Sequence, residues 1–486
     1  DRKVTEYPIA ISKNENDSGV TVIRHELTST SGIAYVNFGI DLSSIPLENV
    51  PLLSIFGRLT KEAGAGDYDD VALSRAIGTH TGGINVALLT SPVTPAGADE
   101  SAVSDGTKMV TKLVIKGKAT SDKTDKLFDL YKLILTDAKL DSQKKVIEML
   151  RESRSRLEAG IQGSGHQFAN TRMNARYSVA GYLNEKMGGI TYLNTVKQLL
   201  KQAEEDWPSL LARLEKIRST ILDEKLCRDG MFVDITGDKK VLETIQSSVE
   251  DFLSELPGDS DGDKLPDFYR EDHPWIAQAK KEMKEMAPIM DEGFVVPTQV
   301  SYVGKGGKLY EEGEKVPGSA AVVSRFLRTG YLWDNVRVIG GAYGGFCTFS
   351  PSSGYFSYLS YRDPNLAKTL DVYDQAADAL MAAADELEKD PDALATAIIG
   401  AVGDLDSALS PDQKGWTAFE RYLVNESPEF RQQYRDEILN TTPDDFRAFA
   451  ERLRNMKDPS VAVISSKGGF DDAAKKGKVM TLTEVV

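Results

Sequence analysis

The sequence is poor in the residues that build metal and redox centres. Its 486 residues include two cysteines, Cys227 and Cys347, and four histidines, His25, His80, His166 and His273. Two distant cysteines exclude a disulfide framework and a four-cysteine zinc site, and both are expected to be reduced and buried. No histidine lies in H-x-x-E-H or H-E-x-x-H. His25 is followed by Glu26, but Leu27, Thr28 and Ser29 come next, so no second imidazole shares its helical face. His25 therefore reads as a strand histidine. His166, in the Gly-rich QGSGHQFAN, reads as a turn residue with a functional role as the sharper alternative.

Long apolar runs are also missing: none approaches the roughly 18 residues that cross a bilayer, so a soluble chain without a membrane partner is expected. No serine elbow, P-loop or dinucleotide fingerprint occurs. Positive charge is in deficit, with 58 Lys and Arg against 74 Asp and Glu, a net charge of −16. That balance argues against a grip on nucleic-acid phosphates and permits attraction of basic partners, or serves solubility alone. The chain starts at Asp1 with no secretion signal nearby, which reads as a processed or excised piece.

What is present is a globular composition, 41% hydrophobic and 27% charged, at a length that calls for two to four domains. Two long stretches repeat one order of elements. In the first, Ala34, Val36, Phe38 and Ile40 alternate as a half-buried strand does, and Pro51 to Gly64 has helical spacing. GTHTGGINVALLTS and TKMVTKLVIKGK form a hairpin. Ser121 or Asp122 is expected to cap a helix that aligns Leu127, Leu130, Tyr131 and Ile134 on one face.

The second stretch runs from GFVVPTQVSYVG through the helical AAVVSRFLRTGYLWDNVR, the turn GGAYGGF and the strand GYFSYLSY. HTGGIN lies over AYGGFC, which puts Thr81 in the place of Tyr343. Each stretch closes with a helix and a strand: Leu210, Leu211, Leu214 and Ile217 precede MFVDIT, and a helix capped at Thr442 with Pro443 at its first position precedes SVAVIS. The expected fold is α+β, with two homologous units, 1–256 and 291–486, each a mostly antiparallel sheet with helices on one face, joined by 257–290. Within that connection Asp259, Asp261, Asp263 and Asp267 are spaced like calcium ligands. Lys264 and Arg270 replace the glycine and the bidentate glutamate such a loop needs, so an acidic turn is the preferred reading.

The stretch Arg337 to Cys347 carries the clearest chemistry. A cation six residues before a tyrosine, on a Gly-rich turn entering a strand, reads as a substrate clamp or as a plain turn with a buried tyrosine. It follows a helix and enters a strand, the wrong order for a phosphate loop.

LWDNVRVIGGAYGGFC, followed by SGYFSYLSYRDPNLAKTLDVYD, resembles the carboxy-terminal half of presequence proteases, pitrilysin-type zinc metallopeptidases of mitochondria and chloroplasts. VIRHELTSTSGIAYVNFGID, IGTHTGGINVALLTS and RMNARYSVAGYLNEKMGGITYL resemble the preceding domain of the same half, with the plant and algal branch most similar. The resemblance spans essentially the whole chain. It implies that 1–256 and 291–486 are the third and fourth of four related domains enclosing a peptide chamber. The first two would hold zinc through H-x-x-E-H, and this chain would hold none and be inactive alone.

The resemblance further implies that Arg337 and Tyr343 reach across the closed chamber, binding substrate and stabilising the tetrahedral intermediate. Gly340, Gly341, Gly344 and Gly345 would let backbone approach backbone and aim the tyrosine. Substrates would be unfolded presequences and short oligopeptides, in the mitochondrial matrix or chloroplast stroma. The alternative is a non-catalytic scaffold or peptide-binding subunit built from degenerate domains of the same superfamily.

Overall fold

The computed structural model describes residues 2–13, 19–94, 102–104, 106, 108–223, 228, 230–258, 273–286 and 289–485. Cys227 and the acidic run Asp259 to Asp267 lie outside the described residues. The alternating and apolar runs form strands in two six-stranded sheets. The first contains β1 (Ala10–Lys13), β2 (Thr21–Glu26), β3 (Ile33–Asp41), β4 (Ile84–Pro92), β5 (Met109–Thr120) and β6 (Phe232–Gly237), in the order β1-β2-β6-β3-β5-β4. The second contains β7 (Asp291–Val295), β8 (Tyr302–Lys308), β9 (Gly344–Ser350), β10 (Tyr355–Tyr361), β11 (Lys457–Ser465) and β12 (Thr481–Glu484), in the order β12-β7-β11-β8-β10-β9.

The order β2-β6-β3-β5-β4 is matched strand for strand by β7-β11-β8-β10-β9, so the repeat in the sequence is a repeat of topology. The outermost strand differs. The first sheet takes β1, antiparallel, from before its repeat, and the second takes β12, parallel, from after it. The pairs β2–β6 and β7–β11 are also parallel, and the other ladders are antiparallel, giving mixed sheets.

Helices cover the sheets because their apolar spacing leaves one stripe to bury. In Thr124–Thr136, Leu127, Leu130, Tyr131 and Ile134 are all buried, and the Tyr131 hydroxyl donates to the Val36 carbonyl at 2.8 Å. The expected cap at Ser121 or Asp122 is instead a short 3-10 turn, Ser121–Lys123, and the helix starts after it. Pro443–Arg454 begins with a capping box between Thr442 and Asp445. No helix among the described residues is long and apolar enough to cross a membrane.

Each unit's own helices pack on one face of its sheet. The opposite face receives a helix from the other unit. Pro411–Leu423 brings Trp416, Phe419 and Leu423 onto Ile23, Val110, Val114 and Phe232. In return Gly165–Asn174 brings Ala169 and Met173 onto Tyr302, Leu359, Ala462 and Ile464. This exchange is why β6 is buried at every position, its alternating polar residues Asp234 and Thr236 included. The described part of the connecting stretch includes the helix Pro274–Met286, whose Trp275 and Ala279 belong to the first unit's core.

Ion pairs lock the exchange. The Arg172 guanidinium donates twice to Glu292 (2.8 and 2.7 Å), and Arg176 donates to the same carboxylate at 2.8 Å. Under the other exchanged helix lies His25, fully buried, with Nε2 2.6 Å from Asp234 and Nδ1 2.8 Å from the Pro8 carbonyl. Both ring nitrogens face acceptors, a geometry suited to the imidazolium. Burial alone disfavours that charge, but the hydrogen bond and charge of Asp234, with Pro8, outweigh it and raise the His25 pKa.

A raised pKa means that His25 adds stability below its ordinary value of 6.5 and loses it as pH rises through the folded-state value. Urea unfolding midpoints should therefore fall across that alkaline window in wild type. His25→Gln should be less stable at pH 6 and lack this component of the slope. Parallel pH profiles for the two proteins would exclude the pair as its source.

Candidate functional site

The site begins at the end of Ser319–Thr329, where the chain continues into Trp333–Val338, a single turn of π geometry closed by Ile339 N donating to the Asp334 carbonyl at 2.8 Å. The wide turn places Arg337 and Trp333, four residues apart, in register. The guanidinium lies 4.1 Å from the indole centroid and 5.6 Å from the Tyr343 ring centroid.

Glycines bring the next strand against this turn. Gly341 has φ of 80°, which lets the chain reverse while its N–H bonds the Arg337 carbonyl at 2.9 Å. A Cβ on Gly345 would stand 2.7 Å from Val336 Cβ and 2.8 Å from the Leu332 carbonyl oxygen, so β9 can pack there only without one. Gly340 is held through its carbonyl by the Asn365 side-chain amide, and Gly344 starts β9 against the Phe346 ring.

Tyr343 is 67% exposed, which removes the buried-tyrosine reading of this turn. Its N–H donates to the Tyr361 carbonyl at 3.0 Å, and its ring meets Tyr361 edge-on at 5.6 Å. In the first unit the corresponding bond runs from Gly82 N to the Lys118 carbonyl at 2.7 Å. The ladder thus puts Gly82 at Tyr343's place, one residue later than the Thr81 that the two sequences align there. That turn has no phenol at this position, and the cation beside it, Lys118, lies 6.0 Å from the Tyr35 ring centroid.

The segment Tyr361 to Asn365 underlies the site, and no catalytic or metal-binding motif marks it in the sequence. Its anchor is Asp363, fully buried, which accepts from Thr369 Oγ1 at 2.6 Å and Asn365 N at 2.8 Å. His166, which reads from the sequence as a turn residue, also comes here. Its ring packs 4.9 Å from Tyr361, 5.9 Å from Phe346 and 6.3 Å from Tyr302, so the exchanged helix of the first unit reaches the site. Burial lowers its pKa, and its Nδ1 is buried without a hydrogen-bond partner among the described residues. The usable sequence signals were Trp333, one helical turn before Arg337, and YRDPN at the end of β10.

Cys347 is buried beneath the turn. Its thiol donates to the Ser324 carbonyl at 3.1 Å, and desolvation pushes its pKa up to about 12, which suits packing and not nucleophilic chemistry. The four histidines are dispersed: His273 bonds Thr111 and Trp275 N, and His80 ends Asp70–His80. Among the described residues no group of three or more His, Cys, Asp or Glu is placed to hold a metal ion, so these residues do not fit a zinc site. The geometry offers an exposed phenol and a stacked guanidinium, both donors to a carbonyl or an oxyanion, beside the exposed apolar side chains Trp333, Val338 and Ile339.

Two family models match the chain: the peptidase-associated model of M16 subfamily C over residues 1–199, and the PreP C-terminal domain over residues 291–467. Presequence protease 1, chloroplastic/mitochondrial, of Arabidopsis thaliana is 39% identical over 457 residues, covering 94% of this chain and 39% of that protein. Protein HypA of Clostridium perfringens is 28% identical over 96% of this chain and 44% of its own length. The mitochondrial presequence protease of Saccharomyces cerevisiae is 26% identical over 90% and 42%. The chain thus spans well under half the length of these relatives.

Among solved structures, an M16 peptidase inactive domain from Pseudomonas fluorescens superposes with a TM-score of 0.59 at 13% identity, covering 95% of this chain and 98% of that one. A protease from Helicobacter pylori gives 0.57 at 13% identity, with 95% and 100% covered. At such identity these two share the fold.

Proposed function

The chain belongs to the presequence protease family of pitrilysin-type (M16) metallopeptidases and corresponds to its C-terminal region, and from that premise we propose that it is the zinc-free half of a peptide-degrading metalloendopeptidase. In this reading it closes a chamber over unfolded peptides, targeting presequences among them. The opposing half, in the same polypeptide, carries zinc and the general base. The share of the relatives' length that the chain spans, 39 to 44%, supports such a division. The name of the Arabidopsis relative supports work in the mitochondrial matrix or chloroplast stroma.

One observation carries the proposal: Arg337 and Tyr343 stand together on an exposed turn whose backbone is held by Asn365, Tyr361 and packed glycines. Such preorganisation is what a transition-state donor needs, since a donor already in place costs no reorganisation during reaction. A scaffold built from degenerate domains has no use for an uncovered phenol beside an uncompensated cation.

The test compares this chain with the polypeptide that joins it to a zinc-bearing half, on a fluorogenic presequence. The joined protein should cleave it in a chelator-sensitive way and this chain alone should not. Chelator-sensitive cleavage by this chain alone would defeat the division of labour, and an inert joined protein would favour the scaffold.

A further inference from the structure

The turn beneath Tyr343 carries a second cation that the reading above leaves unused. Arg362 follows β10 with φ of 48°, in the left-handed region that a non-glycine residue seldom occupies. Strain of this kind persists where surrounding structure enforces it, and here the buried Asp363 and the Asn365 clasp on Gly340 do so. The Arg362 guanidinium lies 5.7 Å from the Tyr361 ring centroid, and Tyr361 is the ring that meets Tyr343. Its polar neighbour is the Tyr302 phenol, which is neutral and leaves the charge in place.

Charge compensation separates Arg337 and Arg362 from most arginines of the unit. In the same unit Arg325, Arg328, Arg421, Arg435, Arg447, Arg452 and Arg454 all pair with carboxylates. Arg431 turns to the Thr5 carbonyl. Arg337 and Arg362 make no ion pair among the described residues, although the chain carries 74 acidic side chains to draw on. Each instead lies against an aromatic ring, which occupies a face of the guanidinium; Arg362 also hydrogen-bonds the Tyr302 phenol, and the remaining N–H groups of both are left for a planar anion.

We propose that Arg362, backed by Tyr361, forms a carboxylate-binding subsite beside Tyr343. It takes a carboxylate of the same peptide whose backbone Arg337 and Tyr343 engage, so it rests on the function proposed above for those two residues. The exposed Trp333, Val338 and Ile339 around Arg337 suit a peptide with apolar side chains better than a polyphosphate. His166 packs against Tyr361 from the other unit, beside Tyr302 and Tyr343 of the ring's own unit, so docking of the two units helps to position the ring.

The subsite can be tested by binding, without catalysis. Fluorescence anisotropy on the full chain would use one short unstructured peptide as its free C-terminal acid and as its amide, with a single internal Glu exchanged for Gln in further copies of both. The acid, or the Glu-bearing copy, should bind about tenfold more tightly than its neutral counterpart, the worth of a charge-assisted pair, and which contrast matters identifies the carboxylate. Arg362→Gln should abolish the preference and Arg362→Lys retain part of it, with circular dichroism melting unchanged. Inorganic phosphate should compete only at concentrations where salt does.

No measurable binding of any carboxylate-bearing copy, equal binding of all copies to wild type, or a preference that survives Arg362→Gln each overturns the subsite. Failure of the catalytic reading shows separately, as an unchanged turnover when the Tyr343 hydroxyl is removed.

Discussion

Under the function proposed above, Tyr343→Phe in the polypeptide that joins this chain to a zinc-bearing half is expected to lower kcat by about 100-fold while KM stays within about threefold, because the hydroxyl would serve the transition state more than the bound substrate. The substitution deletes one oxygen and keeps the ring, so the edge-on contact with Tyr361 and the backbone bond to its carbonyl survive. A single preorganised donor to a developing oxyanion contributes on this scale in other acyl-transfer sites. Arg337→Lys is the informative companion. It keeps the charge but loses the planar stacking on Trp333 and the forked donors, and its effect should fall on KM as well as kcat. An unchanged kcat for Tyr343→Phe would remove the phenol from the chemistry and leave the turn as a binding surface.

The second large effect concerns the docking of the two units. Glu292→Ala should destabilise the chain by about 3–5 kcal/mol, because it leaves Arg172 and Arg176 facing each other, nearly buried, with their shared counter-charge gone. Desolvation opposes ionising Glu292, but hydrogen bonds from the two guanidinium groups prevail and hold its pKa below the ordinary glutamate value. Its stabilisation is thus present above that ordinary value and is lost as pH falls through the folded-state pKa, so acid should loosen the docking. Trp416, on the other exchanged helix, provides a fluorescent reporter during urea unfolding.

Replacing the charged cluster as a whole, Arg172→Met, Arg176→Met and Glu292→Leu together with Glu185→Gln, whose buried carboxylate lies 3.9 Å from Arg172, should recover most of the lost stability, because the cost of a broken buried ion pair lies in the stranded charge. A cost below about 1 kcal/mol for Glu292→Ala would mean that water reaches and solvates the pair.

Much of this architecture is legible in the sequence. Local patterns suffice for the strand alternation of Ala34 to Ile40, for the helix that buries Leu127, Leu130, Tyr131 and Ile134, and for the Thr442 cap, because each depends on neighbours within a few turns of chain. The order of such elements is enough to reveal the duplication, and the segment Arg337 to Cys347 holds the cation, the phenol and the glycines of the candidate site. The cap at Ser121 or Asp122 fails for the opposite reason: a 3-10 turn, set by how β5 meets its helix, takes the place of the cap there.

By itself, then, the sequence determined the α+β class, the two repeated units, and the want of a histidine pair that could begin a zinc site. The tertiary structure alone decided that each unit covers the other's sheet with a helix, because the second buried face carries polar Asp234 and Thr236 in β6 and no local pattern says what lies on it. It alone decided that Tyr343 is exposed and that Arg337 lies on Trp333. It alone brought His166 to the turn of Tyr361 and Arg362, with imidazole and guanidinium both against the Tyr361 ring. His166 and Tyr361 belong to different units, so they meet only through the packing of one unit on the other, which no local pattern encodes.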